Sequence, residues 1–470
     1  MIKRLIRAGV DVLRLNFSHG TPQEHLGLIR RVRKLSLDFP HPIGILADLP
    51  GPKLRTGDLV DGKPVFLDQN RKCTLTTRSV LGTSELIPVT FKGLPELVKR
   101  GDRILLADGL LELRVISSTG NDILCKVSVG GELREHQGIN IPGRHIPIPA
   151  ITSKDREIIH LLAKTHVDFV ALSFVQRPND IEEALSIMKR AGKILPIIAK
   201  IEKPEALKHI ESILKIVDGI MVARGDLGVE LPTAKIPVVQ KELIHLASKK
   251  SVPVITATQM LDSMIHNPRP TRAETTDVAN AIWDGTDAVM LSGETAKGNY
   301  PIEAVKTMGE IIDNAEANPN FQWTPQPCLA SEDSKAVLKA ASGVCQPRIH
   351  KAIVTYTETG ATAISLSKLR PSVPIFALTP SETTYRKLSL IWGVRAFISP
   401  RGRTVDDMIR IGDQVLVEKA GLKREDRVIV VAGTRLASGA TNLLKIHPVG
   451  ETLTGDTRRR RGQKAEKRNN

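Results

Sequence analysis

At 470 residues the chain is too long for one small hydrophobic core, so two to four domains are expected, and its 41% hydrophobic and 25% charged residues suit an ordinary soluble fold. No run approaches the ~18 apolar residues that span a bilayer, and the start, M-I-K-R-L-I-R, lacks the apolar stretch and cleavage site of a signal peptide. The net charge of +16 suits anionic partners, but only 3% of residues are aromatic and no RNA-binding signature occurs, which disfavours nucleic acid and leaves small anions. Cys73, Cys125, Cys328 and Cys345 show no C-x-x-C spacing, so reduced thiols and a cytoplasmic location are expected, without a disulfide framework or a cysteine metal site.

In chain order, residues 2–9 fit an amphipathic helix stopped by Gly9, 10–17 a strand ending in R-L-N-F-S-H-G, 22–37 a helix and 43–48 a strand. The alternation resumes with strands at 167–175, 195–202, 219–226, 252–260 and 287–294, separated by helices at 181–190, 206–216, 238–249 and 273–284. Each strand finishes in polar or charged residues. This makes seven β–α units where a closed (β/α)8 barrel needs eight, so an open edge is expected between the strands at Val10 and Asp287. The expectation is that Met1 is an internal start and that the natural chain is longer.

Between Pro50 and about His145 the pattern becomes short alternating segments, at 65–67, 73–77, 103–106, 111–116 and 123–129, divided by Gly, Asp and Asn. That predicts a small β-barrel inserted after a strand of the main domain, placed over its active face as a lid. After a helix at 302–317, a Pro-rich linker leads to a third α/β unit with strands near 351–356, 373–378, 396–398 and 427–432. Its T-Y-T-E-T-G-A-T-A offers Thr357, Thr359, Gly360 and Thr362 either as a phosphate cradle or as a plain helix cap through Thr359 or Thr362. The expected domains are 1–50 with 146–325 (barrel), 51–145 (lid) and 335–450 (carboxyl-terminal α/β), and 451–470 is expected to be a disordered basic tail.

The chemistry concentrates at 195–228. The apolar run L-P-I-I-A ends in Lys200 and Glu202, and G-I-M-V-A ends in Arg224 and Asp226. Carboxyl ends of parallel strands are where such folds gather their active residues. Two carboxylates there can hold one divalent cation with a lysine beside it; a structural ion pair at a strand end is the other reading.

Taken together, the segments resemble the pyruvate kinase family. The motifs are R-L-N-F-S-H-G (14–20), D-L-P-G-P-K-L-R-T-G (48–57), A-D-G-L (107–110), L-S-F-V (172–175), A-K-I-E (199–202) and A-R-G-D-L-G-V-E (223–230). They continue with A-T-Q-M-L-D-S-M-I-H-N-P-R-P-T-R-A-E (257–274) and M-L-S-G-E-T-A-K-G-N-Y-P (290–301). They stand in the family's order from residue 2 to about 450. The resemblance implies a (β/α)8 barrel with an inserted lid and a carboxyl-terminal α/β domain. It also implies phosphoryl transfer from phosphoenolpyruvate to ADP, giving pyruvate and ATP.

On this resemblance Glu202 and Asp226 would bind Mg²⁺, or Mn²⁺ in its place, and Lys200 would sit by the migrating phosphoryl group and the developing enolate. Arg14 and Arg55 would flank the phosphate. The backbone at Arg224, Gly225 and Asp226 would hold the substrate carboxylate, with Ser173 and Ser292 lining it. Thr258, a water or Ser292 would protonate the enolate carbon. His19, Lys297 and Arg55 would meet the nucleotide, and Asp108 stands in the lid. A sugar-phosphate effector and a homotetramer are implied by the resemblance alone.

The chain departs from the family in three places. Members that use K⁺ hold it at positions matching Asn16, Ser18, Asp48 and a following threonine, but here that residue is Leu49, and Lys53 stands where those members have glutamate. An ammonium can supply the missing charge, so K⁺ is expected not to be required. The first strand, which approaches the nucleotide in the family, is absent. Ala361 stands where many members have arginine. Two other readings stand beside this one: another phosphoenolpyruvate- or pyruvate-using barrel enzyme, disfavoured by the lid, Arg55 and the Thr258 block, and a truncated, catalytically impaired relative with a regulatory or binding role, favoured by the absent strand.

Overall fold

Seven parallel strands form the main sheet, and their spatial order is their chain order. They are Val12–Asn16, Gly44–Asp48, Phe169–Leu172, Ile197–Ile201, Gly219–Ala223, Val254–Ala257 and Ala288–Val289. The structure is a computed structural model and describes residues 1–144, 148–318, 332–433 and 441–453. The Pro-rich linker beyond Asn318 and all but the first three residues of the basic tail lie outside these.

The central strands are buried on both faces, as near-continuous Ile/Val/Ala runs require. Ile197, Ala199, Ile201, Ile220 and Val222 face outward into the layer beneath the helices. Leu46, Phe169, Ala171, Ile198, Met221, Ile255 and Ala257, from five adjacent strands, converge in one inner cluster. Inner faces of five strands can meet only if the sheet curls, which makes it a barrel wall. The end strands, Val12–Asn16 and Ala288–Val289, each pair with a single neighbour among the described residues. Beside them, helix Ile2–Arg7 packs Leu5 against Ile302 and Val305 of helix Pro301–Glu316.

Three helices begin on reciprocal caps: Thr21 with Glu24, Thr152 with Asp155 and Thr271 with Glu274 each exchange side-chain and backbone hydrogen bonds. The helix expected at 206–216 is two short ones, Pro204–Lys208 and Ile210–Ile213, broken at His209.

The insertion is mostly β, with a short α-helix at Leu94–Leu97. Six strands, ordered Ile139–Asn140, Arg103–Leu106, Leu111–Thr119, Asp122–Val129, Lys72–Thr76 and Leu86–Pro88, share a core with the two-stranded ribbon of Val65–Leu67 and Gly131–Leu133. The carboxyl-terminal sheet has four parallel strands, Val394–Ile398, Ile375–Thr379, His350–Tyr356 and Arg427–Gly433. A fifth, Thr441–Pro448, pairs antiparallel with the last of these and has no counterpart in the sequence reading.

The carboxyl-terminal unit closes the amino end of the barrel. Leu388, Leu390 and Ile391 join the inner barrel cluster. Around them, three aspartates that precede barrel strands do double duty. Asp168, Asp218 and Asp287 accept the backbone N–H of Ile45, Ile197 and Val254 on the neighbouring strands. Each also ion-pairs with a cation of the other unit, Arg386 at 3.0 Å, Lys387 at 2.7 Å and Lys368 at 2.5 Å. With one end plugged, the opposite mouth is the one left for substrates.

Candidate active site

Strand alternation sets the site. Ile198 points into the barrel, so Lys200, two residues on, also points inward but at the carboxyl end, where it meets the ends of neighbouring strands. Its ammonium lies 2.9 Å from Glu202 Oε1 and 3.3 Å from Asp48 Oδ1, and donates to Ser173 Oγ at 2.8 Å. Asp48 is 1% exposed and also receives Arg14 Nε at 2.6 Å. Burial opposes the charge on Lys200, but Asp48 and Glu202 outweigh it and hold its pKa above the ordinary value. The lysine is therefore a cation at all physiological pH.

Glu202 is 1% exposed and accepts the Phe174 N–H at 2.7 Å. Its pKa is pushed up by burial first and then by the charge of Asp226; Lys200 pulls the other way. Phe174 takes a positive φ of 56°, a strained backbone that aims its N–H at the carboxylate. Asp226 lies in the first turn of helix Arg224–Glu230, and Lys53 Nζ approaches it to 3.7 Å while lying 3.2 Å from Asp108 of the lid. A buried carboxylate and a half-buried one at adjacent strand ends make an oxygen donor pair suited to a hard divalent cation. Among the described residues no group of three or more His, Cys, Asp or Glu side chains that could hold a metal ion assembles.

Thr258 follows the Val254–Ala257 strand with φ of 70°, accepts the Gly225 N–H at 2.7 Å and donates to Ala257 O at 2.6 Å. It thereby ties the end of that strand to the first turn of the Arg224–Glu230 helix. The Arg224 side chain is engaged by Asp277 at 2.7 Å and by the Thr258 carbonyl at 2.7 Å. Ser292 donates its N–H to Glu294 Oε2 at 2.7 Å, and the same buried carboxylate receives Leu261 N. Glu294 holds two site loops together and was missed in the sequence, where it reads as one residue of a motif.

Other expected residues stay apart from this cluster. Arg55 donates to His136 O at 2.8 Å inside the lid. His19 and Lys297 are exposed; His19 O pairs with His25 Nε2 at 2.8 Å. Asn16 Oδ1 accepts Ser18 N–H at 3.1 Å, and Asn16 sits in register with Asp48.

In the carboxyl-terminal unit, Gly360 (φ 90°), not Thr359 or Thr362, occupies the cap of helix Ala361–Lys368, which corrects the plain-cap reading. Only glycine takes that left-handed conformation without strain. Thr357 Oγ1 accepts the Gly360 N–H at 2.9 Å, and Thr362 Oγ1 lies 3.1 Å from Thr441 Oγ1. The Thr357 and Thr362 hydroxyls are thus engaged within the protein.

Comparison with known proteins points to one family. Residues 1–305 match the model of the pyruvate kinase barrel domain, and residues 335–447 that of the pyruvate kinase alpha/beta domain. Pyruvate kinases of Staphylococcus aureus (strain MRSA252) and Staphylococcus haemolyticus (strain JCSC1435) are each 43% identical, over 96% of this chain and 78% of their own length. The crystal structure of a pyruvate kinase from Cryptosporidium parvum superposes with a TM-score of 0.86 at 37% identity, covering 95% of this chain and 92% of its own. With two family models spanning most of its length and relatives this similar, the chain belongs to the pyruvate kinase family of phosphotransferases.

Proposed function

We propose that the protein moves the phosphoryl group of phosphoenolpyruvate to ADP, yielding pyruvate and ATP, with a divalent cation held by Glu202 and Asp226. The observation that carries this is one ammonium, Lys200, shared among Asp48, Glu202 and Ser173 beside that carboxylate pair. Mg²⁺, or Mn²⁺ in its place, supplies Lewis-acid stabilisation of phosphoryl and enolate oxygens when bound.

Lys200 faces the migrating phosphoryl group and steadies the charge that builds on it and on the enolate oxygen. Arg14, held by Asp48, fixes a phosphate oxygen from the other side, and Arg55 joins it from the lid. Ser173 and Ser292 line the substrate. The first-turn N–H groups after Arg224 take the substrate carboxylate. The proton reaches the enolate carbon from the side of Thr258, through its hydroxyl, a water or Ser292. His19 and Lys297 meet the nucleotide at the rim, and Asp108 reaches it from the lid.

Lys53, beside Asp108 and Asp226, supplies a fixed charge in place of the monovalent cation that K⁺-using members hold at the positions of Asn16, Ser18 and Asp48, so K⁺ is not required. A homotetramer and a sugar-phosphate effector at Thr357, Thr359, Gly360 and Thr362 complete the proposal, in a cytoplasmic enzyme. Among the described residues no helix is long and apolar enough to cross a membrane. The test is pyruvate formation from phosphoenolpyruvate and ADP in a coupled assay with and without Mg²⁺. Metal-dependent pyruvate release is expected; its absence from folded, metal-loaded protein overturns the proposal.

A further inference from the structure

Away from the reacting atoms, a buried carboxylate joins the lid to the barrel. Glu230, with a side chain only 3% exposed, ends the short helix that Arg224, Gly225 and Asp226 begin. Its Oε1 receives two donors from different parts of the chain. One is Lys203 Nζ, from the residue next to Glu202. The other is Asn140 Nδ2, at 3.0 Å, from the lid. Asn140 lies in the strand Ile139–Asn140, whose register partners are Leu106 and Leu105, so it is fixed to the lid sheet just before the chain returns to the barrel. The amide is 5% exposed.

Lys203 alone would satisfy the Glu230 charge. Bringing an amide from the lid to the same oxygen requires desolvating it as well, and the bond that results fixes both distance and direction where an apolar contact would allow sliding. The lid touches this helix a second time at its other end, where Lys53 bridges Asp108 and Asp226. Between the two contacts Gly109 faces Val229, whose side chain a Cβ added at the glycine would meet at 3.8 Å. The lid is therefore registered along the whole helix that presents Asp226. Lys203 lies against the Phe174 ring, 5.9 Å from its centroid, and the Phe174 N–H holds Glu202, so the latch also reaches the other carboxylate of the pair.

We propose that Glu230 and Asn140 are positioning residues: their bond latches the lid at the angle that places its nucleotide-facing surface over the Glu202–Asp226 pair. The inference rests on the phosphoryl-transfer reading above for its kinetic consequence, but not for the latch itself. The latch is read by hydrogen exchange on the full-length protein, which needs no turnover. Asn140→Leu speeds exchange in the hinge segments 49–56 and 136–142 by ~10-fold or more and leaves strands 197–201 and 219–223 unchanged. Asn140→Asp, of the same size but with a like charge facing Glu230, does the same and serves if the leucine variant folds poorly. In turnover, Asn140→Leu raises KM for the nucleoside diphosphate by ~10-fold with a much smaller change in kcat, and the same substitution in an E230Q background adds less than ~2-fold. Hinge exchange that stays at the wild-type rate in both Asn140 variants, or additive effects in the double variant, overturns the latch. Wild-type protein that forms no pyruvate overturns the reaction instead, and the exchange result still decides the latch.

Discussion

The ammonium of Lys53 stands 3.7 Å from an oxygen of Asp226 and 3.2 Å from one of Asp108. A fixed positive charge is thus built into the chain beside the carboxylate expected to hold the metal. The wild-type enzyme should show equal turnover in K⁺ and Na⁺ salts at matched ionic strength. Lys53→Gln should lower kcat/KM by ~10-fold or more, with part of the loss recovered specifically by K⁺. A large stimulation of the wild type by K⁺ over Na⁺ would show that Lys53 does not replace the ion.

Lys368 and Asp287 pair at 2.5 Å with side chains 1% and 0% exposed, joining the carboxyl-terminal unit to the barrel floor. Burial lowers the pKa of Lys368, with Asp287 opposing the shift. Removing Lys368 leaves the buried Asp287 with only Arg370, 3.9 Å away, as a counter-charge among the described residues. Lys368→Met should cost ~3–5 kcal/mol, and the double change with Asp287→Asn appreciably less. Denaturant midpoints of the three variants check this; equal losses in the single and double variants would mean the pair is not coupled.

Asp413 is the hub of a second buried network, accepting from His447 Nε2 at 2.8 Å, Gly450 N at 2.8 Å and both the N–H and hydroxyl of Thr452. Burial raises its pKa, but these hydrogen bonds outweigh it and hold the carboxyl below its ordinary value of 3.8. A depressed carboxyl contributes stability that is complete above the ordinary value and is lost as pH falls through the lower folded one. Thermal unfolding from pH 6 down to pH 2 should therefore drop less steeply below pH 4 for Asp413→Asn than for the wild type. Parallel curves would place the acid sensitivity elsewhere.

Much of this architecture was legible because it rests on local rules. Apolar runs ending in charge located the seven strands, and the residues after them located Lys200, Glu202 and Asp226. Helix Ser153–Ala163 escaped notice although T-S-K-D carries its capping signal. Strand Thr441–Pro448 escaped because its residues alternate poorly and its stability comes from pairing with Arg427–Gly433. Contacts between units left no local trace. Arg386 meets Asp168 across 218 positions, and Asn140 meets Glu230 across 90. The pairing of Arg224 with Asp277, from a later helix, was likewise invisible.

Phosphoryl transfer at the barrel mouth is tested most directly at Lys200. With Asp48 and Glu202 holding it charged, Lys200→Met should lower pyruvate formation from phosphoenolpyruvate and ADP by several orders of magnitude, while calorimetry still detects binding of a divalent cation to the folded variant. Turnover equal to the wild type in that variant would contradict the role given to this residue and, with it, the reading of the barrel mouth as a phosphoryl-transfer site.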